Sequence, residues 1–237
     1  MIVPAAIHTP ASNLNDFPNS IKDLPIFISL ALYDNRIKIS GARPVIVTNS
    51  LITQNFTLWT NWQRFIPDGI FLCPNGPEPC SINPQGFQWF DLEVEKEAVI
   101  LEKSLAAEEK LISYLDQVLD NFQLEPENLA LVGFSQGCMI TIQAGLKNKK
   151  KINCIIGYSG KVINQDYLSK HINSKPKIFL MHGDNDTIVP PTHLLEAKEY
   201  FANHGIKIKI KLFKNCEHRI PVEGSSLGLD FLRKNLL

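Results

Sequence analysis

The residues in this chain best suited to chemistry are a serine between two glycines, a pair of aspartates just past a strand, and a histidine late in the sequence. Gly133-Phe-Ser135-Gln-Gly137 follows an apolar, strand-like run over 128–132 and precedes a helix-compatible segment over 138–146. Strand, G-x-S-x-G and helix together are the context of a nucleophile elbow. The reason is steric. The serine backbone sits in a strained turn, where side chains two before and two after it would collide. Glycine at both flanks removes the collision, and the hydroxyl stands exposed at the end of the strand. The bare pattern also occurs in ordinary Gly-rich turns, so the flanking strand and helix are what favour the elbow here.

A serine hydroxyl is a poor nucleophile at neutral pH. It needs a base, and the base needs an orienting acid. With an elbow serine these follow in the order Ser, Asp or Glu, His. The apolar strand Lys177-Ile-Phe-Leu-Met181 runs into His182-Gly-Asp-Asn-Asp186-Thr-Ile-Val-Pro190, which puts two carboxylates past a strand end. Spacing alone does not choose between Asp184 and Asp186. Residues 207–213 alternate lysine and apolar side chains, the pattern of a half-buried strand, and the loop after them carries Cys216-Glu217-His218. His218 has the order and the strand-end context of a general base. Glu217 is a poor orienter, because adjacent side chains diverge. His8 lies in the N-terminal stretch, and His171, His193 and His204 read as solvated residues. His182 ends a strand and reads as a packed or hydrogen-bonded structural residue.

Five ordered segments carry a resemblance: Pro74-Asn-Gly-Pro-Glu-Pro-Cys80, Gly86-Phe-Gln-Trp-Phe-Asp91, Gly133-Phe-Ser-Gln-Gly137, His182-Gly-x-x-Asp186-x-x-Val-Pro190 and Cys216-Glu-His218. Over about residues 66 to 237 the chain resembles the carboxylesterase/phospholipase family of α/β-hydrolases. That family includes acyl-protein thioesterases, lysophospholipases and small bacterial carboxylesterases. Five motifs in order are far more specific than one elbow. The resemblance implies Ser135 as nucleophile, Asp186 rather than Asp184 as the acid, and His218 as the base. It implies that Gln136 lends its backbone N–H to an oxyanion hole. It also implies that Pro77, Trp89 and Phe90 border the acyl pocket.

Before residue 66 the chain departs from the family. Members carry a first core strand that ends in a Leu-His-Gly-x-Gly-Asp-like loop, which supplies the second oxyanion N–H. The counterpart here is Pro44-Val-Ile-Val-Thr-Asn-Ser50-Leu-Ile-Thr53, without the histidine and glycines. A second apolar run, over 25–32, is an alternative for the strand. One oxyanion donor is worth about 3 kcal/mol, or roughly 10²–10³ in rate. Three explanations stand side by side: a diverged loop that still offers an N–H near Leu51, a weakened enzyme, or an altered N-terminal segment.

Composition bounds the rest. A chain of 237 residues with 44% hydrophobic content suits one α/β domain with a substantial core. Acidic and basic residues number 24 each, so no electrostatic footprint points to nucleic acid. The basic run 147–151 reads as a solvated cap that complements a helix dipole. No apolar stretch approaches the roughly 20 residues of a membrane span, and no signal peptide is evident. Five cysteines lack disulfide-framework spacing and read as reduced thiols in a cytoplasm. No Cys/His cluster has zinc spacing, and neither metal nor organic cofactor is implied.

Residues 1–23 read as an irregular lead-in and 24–237 as a single domain. Strand-like runs recur near 26–32, 44–48, 69–73, 128–132, 153–158, 177–181 and 207–213. Helical periodicity marks 93–122, 194–202 and 226–236. Alternating strands and helices predict a mainly parallel sheet covered on both faces. The expected activity is cleavage of carboxylic esters or thioesters through an acyl-enzyme. One rival is an impaired hydrolase-fold protein that only binds, suggested by the missing His-Gly loop. Another is a peptidase-type hydrolase, for which the chain shows no propeller or large cap.

Overall fold

In the computed structural model, the residues described are 26–29, 43–48, 61–66, 69–80, 86–91 and 97–236, with side chains described from residue 61 onward except at 97, 98 and 121. The lead-in over 1–23, His8 and Leu51 lie outside them.

Seven strands form the main sheet. They are β1 (Ile26–Ser29), β2 (Arg43–Thr48), β3 (Gly69–Pro74), β6 (Ala130–Phe134), β7 (Cys154–Tyr158), β8 (Lys177–Gly183) and β9 (Ile208–Phe213). Their order is β1-β3-β2-β6-β7-β8-β9. Only β1 runs antiparallel, against β3 at one edge; the other six are mutually parallel. Two short strands, β4 (Glu78–Pro79) and β5 (Phe87–Gln88), form a separate hairpin. Of the two apolar runs that compete for the first core strand, 44–48 takes the central place beside β6, and 26–29 takes the edge.

The strand sequences explain the layering. β6 and β7 are buried at every residue, as parallel strands covered on both faces must be. Their side chains alternate between two cores. Leu131, Ile155, Ile178 and Leu180 face one, with Leu111 and Leu115 of α1 (Glu97–Phe122), Ile140 and Leu146 of α2 (Gln136–Lys147), and Phe201. Val132, Phe134, Ile156, Tyr158 and Phe179 face the other, with Trp62 and with Leu229, Leu232 and Leu236. Three further α-helices follow: α3 (Gln165–Ser169), α4 (Thr192–Asn203), which carries Phe201, and α5 (Val222–Leu236), which supplies the last three leucines. Among the described residues no helix is long and apolar enough to cross a membrane.

Two expectations about charged residues change. Lys147 is not part of a solvated cap: its ammonium reaches Glu108 of α1 at 2.6 Å, and the Glu108 side chain is 0% exposed. Burial pushes the Glu108 carboxyl up, and the adjacent Lys147 pulls it down only in part. The pair ties α1 to α2. His171 and His204 are not simply solvated either, since each ring Nδ1–H donates to a carbonyl four residues back, Tyr167 and Tyr200 respectively, at 2.7 Å.

α5 docks through polar contacts as well as leucines. Tyr158 Oη donates to the Gly224 carbonyl at 3.0 Å, and Trp62 Nε1–H donates to Ser225 Oγ at 3.1 Å. Gly228 permits this approach, because a Cβ there would lie 2.0 Å from Tyr158 Oη and 3.1 Å from the Trp62 ring. Gly228→Ala is therefore expected to destabilise the protein by roughly 1–3 kcal/mol through overpacking. Urea denaturation checks this, and an unchanged midpoint would contradict the packing.

Candidate active site

Ser135 sits where β6 turns into α2. Its backbone has φ +54° and ψ −122°, a strained conformation for a residue with a side chain. Backbone bonds hold it there: its N–H donates to the Tyr158 carbonyl at 2.9 Å, and its own carbonyl accepts the N–H groups of Cys138 at 3.0 Å and Met139 at 3.2 Å. Gly133 makes the turn possible, since a Cβ there would lie 2.4 Å from the Gly137 carbonyl oxygen. A serine before a helix ordinarily caps it with its hydroxyl. Ser135 makes no such side-chain bond, so its Oγ is not consumed by the helix. The residue is half-buried, at the carboxyl end of a central strand, where ligands of parallel sheets bind.

The two other predicted residues come together past β8 and β9. His218 Nδ1–H donates to Asp186 Oδ2 at 2.7 Å. The other oxygen, Oδ1, accepts the N–H groups of Ile188 at 3.0 Å and Val189 at 2.9 Å. Burial raises the Asp186 carboxyl, but the Val189 bond, the His218 bond and the histidine's charge outweigh it and hold the group below its ordinary value. The imidazole of His218 also packs on Phe134, ring centroids 4.8 Å apart. Phe134 immediately precedes Ser135, so the base is seated on the elbow itself.

The loops that bring Asp186 and His218 together are stitched to each other. Asp184 N–H donates to the Phe213 carbonyl and Asn185 N–H to the Cys216 carbonyl, both at 2.9 Å. Asp184 Oδ1 accepts the Cys216 N–H at 3.3 Å. The competing aspartate thus has work of its own, holding the base loop rather than the base. His182 is the buried structural histidine expected from its position: its Nε2–H donates to the Val189 carbonyl at 2.8 Å, with Asp186 Oδ2 3.3 Å away. Burial lowers the His182 pKa, against the upward pull of the Val189 bond and the Asp186 charge.

The remaining predicted residues fall as follows. Thr48, the last residue of β2, is in register with Gly133, so β2 ends beside the elbow. Leu51 itself lies outside the described residues. Trp89 and Phe90, expected at the pocket border, are 3% and 0% exposed and pack into the core that holds α1. The Gln136 amide grips their backbone, accepting the Trp89 N–H and donating to the Phe90 carbonyl. Pro77 is half-buried. Sequence reasoning missed that grip, the Asp184 stitch and the Phe134 seat. Their partners lie dozens of positions apart, so no local spacing signals them. Among the described residues no group of three or more His, Cys, Asp or Glu side chains could hold a metal ion.

A mainly parallel sheet with an elbow serine on its central strand, and an acid and a histidine past the later strands, defines an α/β-hydrolase. A family model described as Phospholipase/Carboxylesterase matches residues 53–236, and the chain belongs to that family. Among curated relatives it is 23% identical over 178 residues to esterase YpfH of Escherichia coli K12, covering 73% of each chain. It is 28% identical over 184 residues to acyl-protein thioesterase 1 of Saccharomyces cerevisiae, covering 70% of this chain and 78% of that one. Among solved structures, esterase PE8 superposes with a TM-score of 0.78 at 28% identity, over 90% of this chain and 98% of the other. SOBER1 of Arabidopsis thaliana shares the fold, with a TM-score of 0.72 at 19% identity over 83% of this chain and all of that one.

The pH dependence of stability follows from the buried groups. His182 resists protonation when folded, so between its lowered pKa and the ordinary 6.5 the unfolded chain binds more protons. Stability therefore falls as pH drops below 6.5. Asp186, held below 3.8, adds a second loss as pH falls through its own lower pKa. In denaturation midpoints measured from pH 8 to 5, His182→Gln is expected to flatten the first decline. The same slope in both proteins would contradict the assignment.

Proposed function

We propose that the protein hydrolyses carboxylic esters or thioesters through an acyl-enzyme on Ser135, with His218 as general base and acid and Asp186 as the carboxylate that orients it. The observation that carries this reading is the 2.7 Å bond from His218 Nδ1–H to buried Asp186, with the same imidazole seated on Phe134, next to a serine whose hydroxyl caps no helix. With Nδ1 committed to Asp186, Nε2 is the ring nitrogen left to serve the serine.

The chemistry follows in two halves. Nε2 takes the Ser135 proton as Oγ bonds to the substrate carbonyl carbon. The carbon–oxygen or carbon–sulfur bond to the leaving group then breaks, and His218 gives that group the proton. In the second half His218 takes a proton from water as the water oxygen attacks the acyl carbon. The carbon–Oγ bond breaks, the proton returns to Ser135, and the carboxylic acid departs. Asp186 keeps the imidazole in one tautomer and stabilises its charged form. The Gln136 backbone N–H, at the start of α2, serves as one oxyanion donor. A second comes from the segment that follows β2, at Leu51; the register of Thr48 beside Gly133 supports this.

Relatives named esterase and acyl-protein thioesterase support both classes of acyl bond as substrates. They favour an enzyme over a protein that only binds. We take residues 24–237 as one catalytic domain, since strands from Ile26 to Phe213 enter one sheet. We assign it to the cytoplasm. Five free cysteines, four of them buried, support a reducing compartment.

A fluorophosphonate probe tests the nucleophile directly. Labelling is expected at Ser135 alone, and lost in Ser135→Ala. Two other serines are poorly placed: Ser159 is 1% exposed, and Ser225 Oγ accepts the Trp62 indole N–H. Turnover of a short activated ester should accompany labelling. Labelling of another serine would overturn the assignment, and neither labelling nor turnover would favour the binding protein.

A further inference from the structure

The side chain of Gln136 does something the elbow alone does not require. Any residue but proline could offer a backbone N–H at this position. This one is a buried amide, 4% exposed, committed to a segment 46 and 47 positions upstream. Its Oε1 accepts the Trp89 N–H at 2.8 Å, and its Nε2–H donates to the Phe90 carbonyl. A primary amide presents donor and acceptor side by side, so it closes on a stretch of peptide as a neighbouring strand would.

The segment it grips directly follows β5 of the β4–β5 hairpin. That hairpin leaves the sheet after Pro74, at the carboxyl end of β3. β3 is parallel to β2, and β2 to β6, so hairpin and elbow emerge on the same side of the sheet. The hairpin's limbs touch at Gly76, where a Cβ would lie 2.2 Å from the Gln88 carbonyl carbon and oxygen. One side chain therefore joins a close-packed hairpin to the residue whose N–H faces the reacting carbonyl.

We propose that the Gln136 side chain is a positioning residue that sets acyl-chain selectivity, by holding the hairpin wall at a fixed distance from the reacting carbonyl. The proposal rests on the ester-hydrolase reading above. An acetyl group ends beside the carbonyl and engages little but the elbow. In this proposal a longer acyl chain lies along the hairpin. Loosening the wall therefore harms the long chain more than the short one.

The test compares kcat/KM for p-nitrophenyl octanoate and p-nitrophenyl acetate from pH 5.5 to 9, in the full chain and in Gln136→Met and Gln136→Glu. Gln136→Met removes donor and acceptor at similar volume. Its octanoate-to-acetate ratio is expected to fall about tenfold, the scale of a buried hydrogen bond whose partner is left unpaired. Gln136→Glu is close in shape to the amide and keeps both bonds while its carboxyl is protonated. Once ionised it loses the donor and sets a charge against the Phe90 carbonyl. Its ratio is expected to match wild type at low pH and fall as pH rises. A packing role alone does not titrate, and a charge that slows both esters equally cancels in the ratio. Either fall supports the proposal. If Gln136→Met does not fold, the Gln136→Glu ratio decides alone. A ratio equal to wild type in every folded variant at every pH overturns it. Wild-type protein that turns over neither ester would instead overturn the hydrolase reading.

Discussion

The hydrogen bond from His218 to Asp186 is the contact on which the rest of the site depends. A carboxylate buried without partners would take up a proton and lose its ability to orient a base. Asp186 avoids this because two backbone N–H groups and the His218 ring satisfy its oxygens. The same loop commits His182 to the carbonyl of Val189, the residue whose N–H serves Asp186. The geometry of one ring is thus built from a run of eight residues, His182 to Val189, closed on itself.

The sheet makes that contact possible at a distance. Ser135, Asp186 and His218 follow three parallel strands, β6, β8 and β9, so all three leave the sheet at the same end. Side chains that alternate between two cores hold those strands in register. The strain in the Ser135 turn is tolerated because its flanks are buried and hydrogen-bonded. Stiffness in the sheet and strain at its end are parts of one arrangement, since a loose strand would let the turn relax and carry Ser135 out of line.

Much of this was legible in the sequence, for reasons that differ by element. β6 and β7 could be read because they are short apolar runs bounded by turn residues, and β9 because its lysines alternate with isoleucines. The elbow was legible because its steric demand falls on glycines within five positions. The choice between Asp184 and Asp186 was not a matter of spacing, since both share one loop, and only the motif resemblance separated them. In three dimensions the difference is plain: Asp184 faces the backbone of Cys216 and Asp186 faces the His218 ring. Contacts between distant segments left no local trace. The Lys147–Glu108 pair was hidden in a basic run that looks solvated, and the Gln136 grip was hidden in a residue read for its backbone alone.

The most direct measurement of the central claim is steady-state kinetics on the paired variants Asp186→Asn and Asp184→Asn. If Asp186 orients the base, its amide variant lowers kcat by about 10⁴, the scale of losing a triad carboxylate. Asp184→Asn, which touches only the loop backbone, keeps most of the turnover and shows its effect in stability. A crippled Asp184→Asn beside a mildly affected Asp186→Asn would contradict the account.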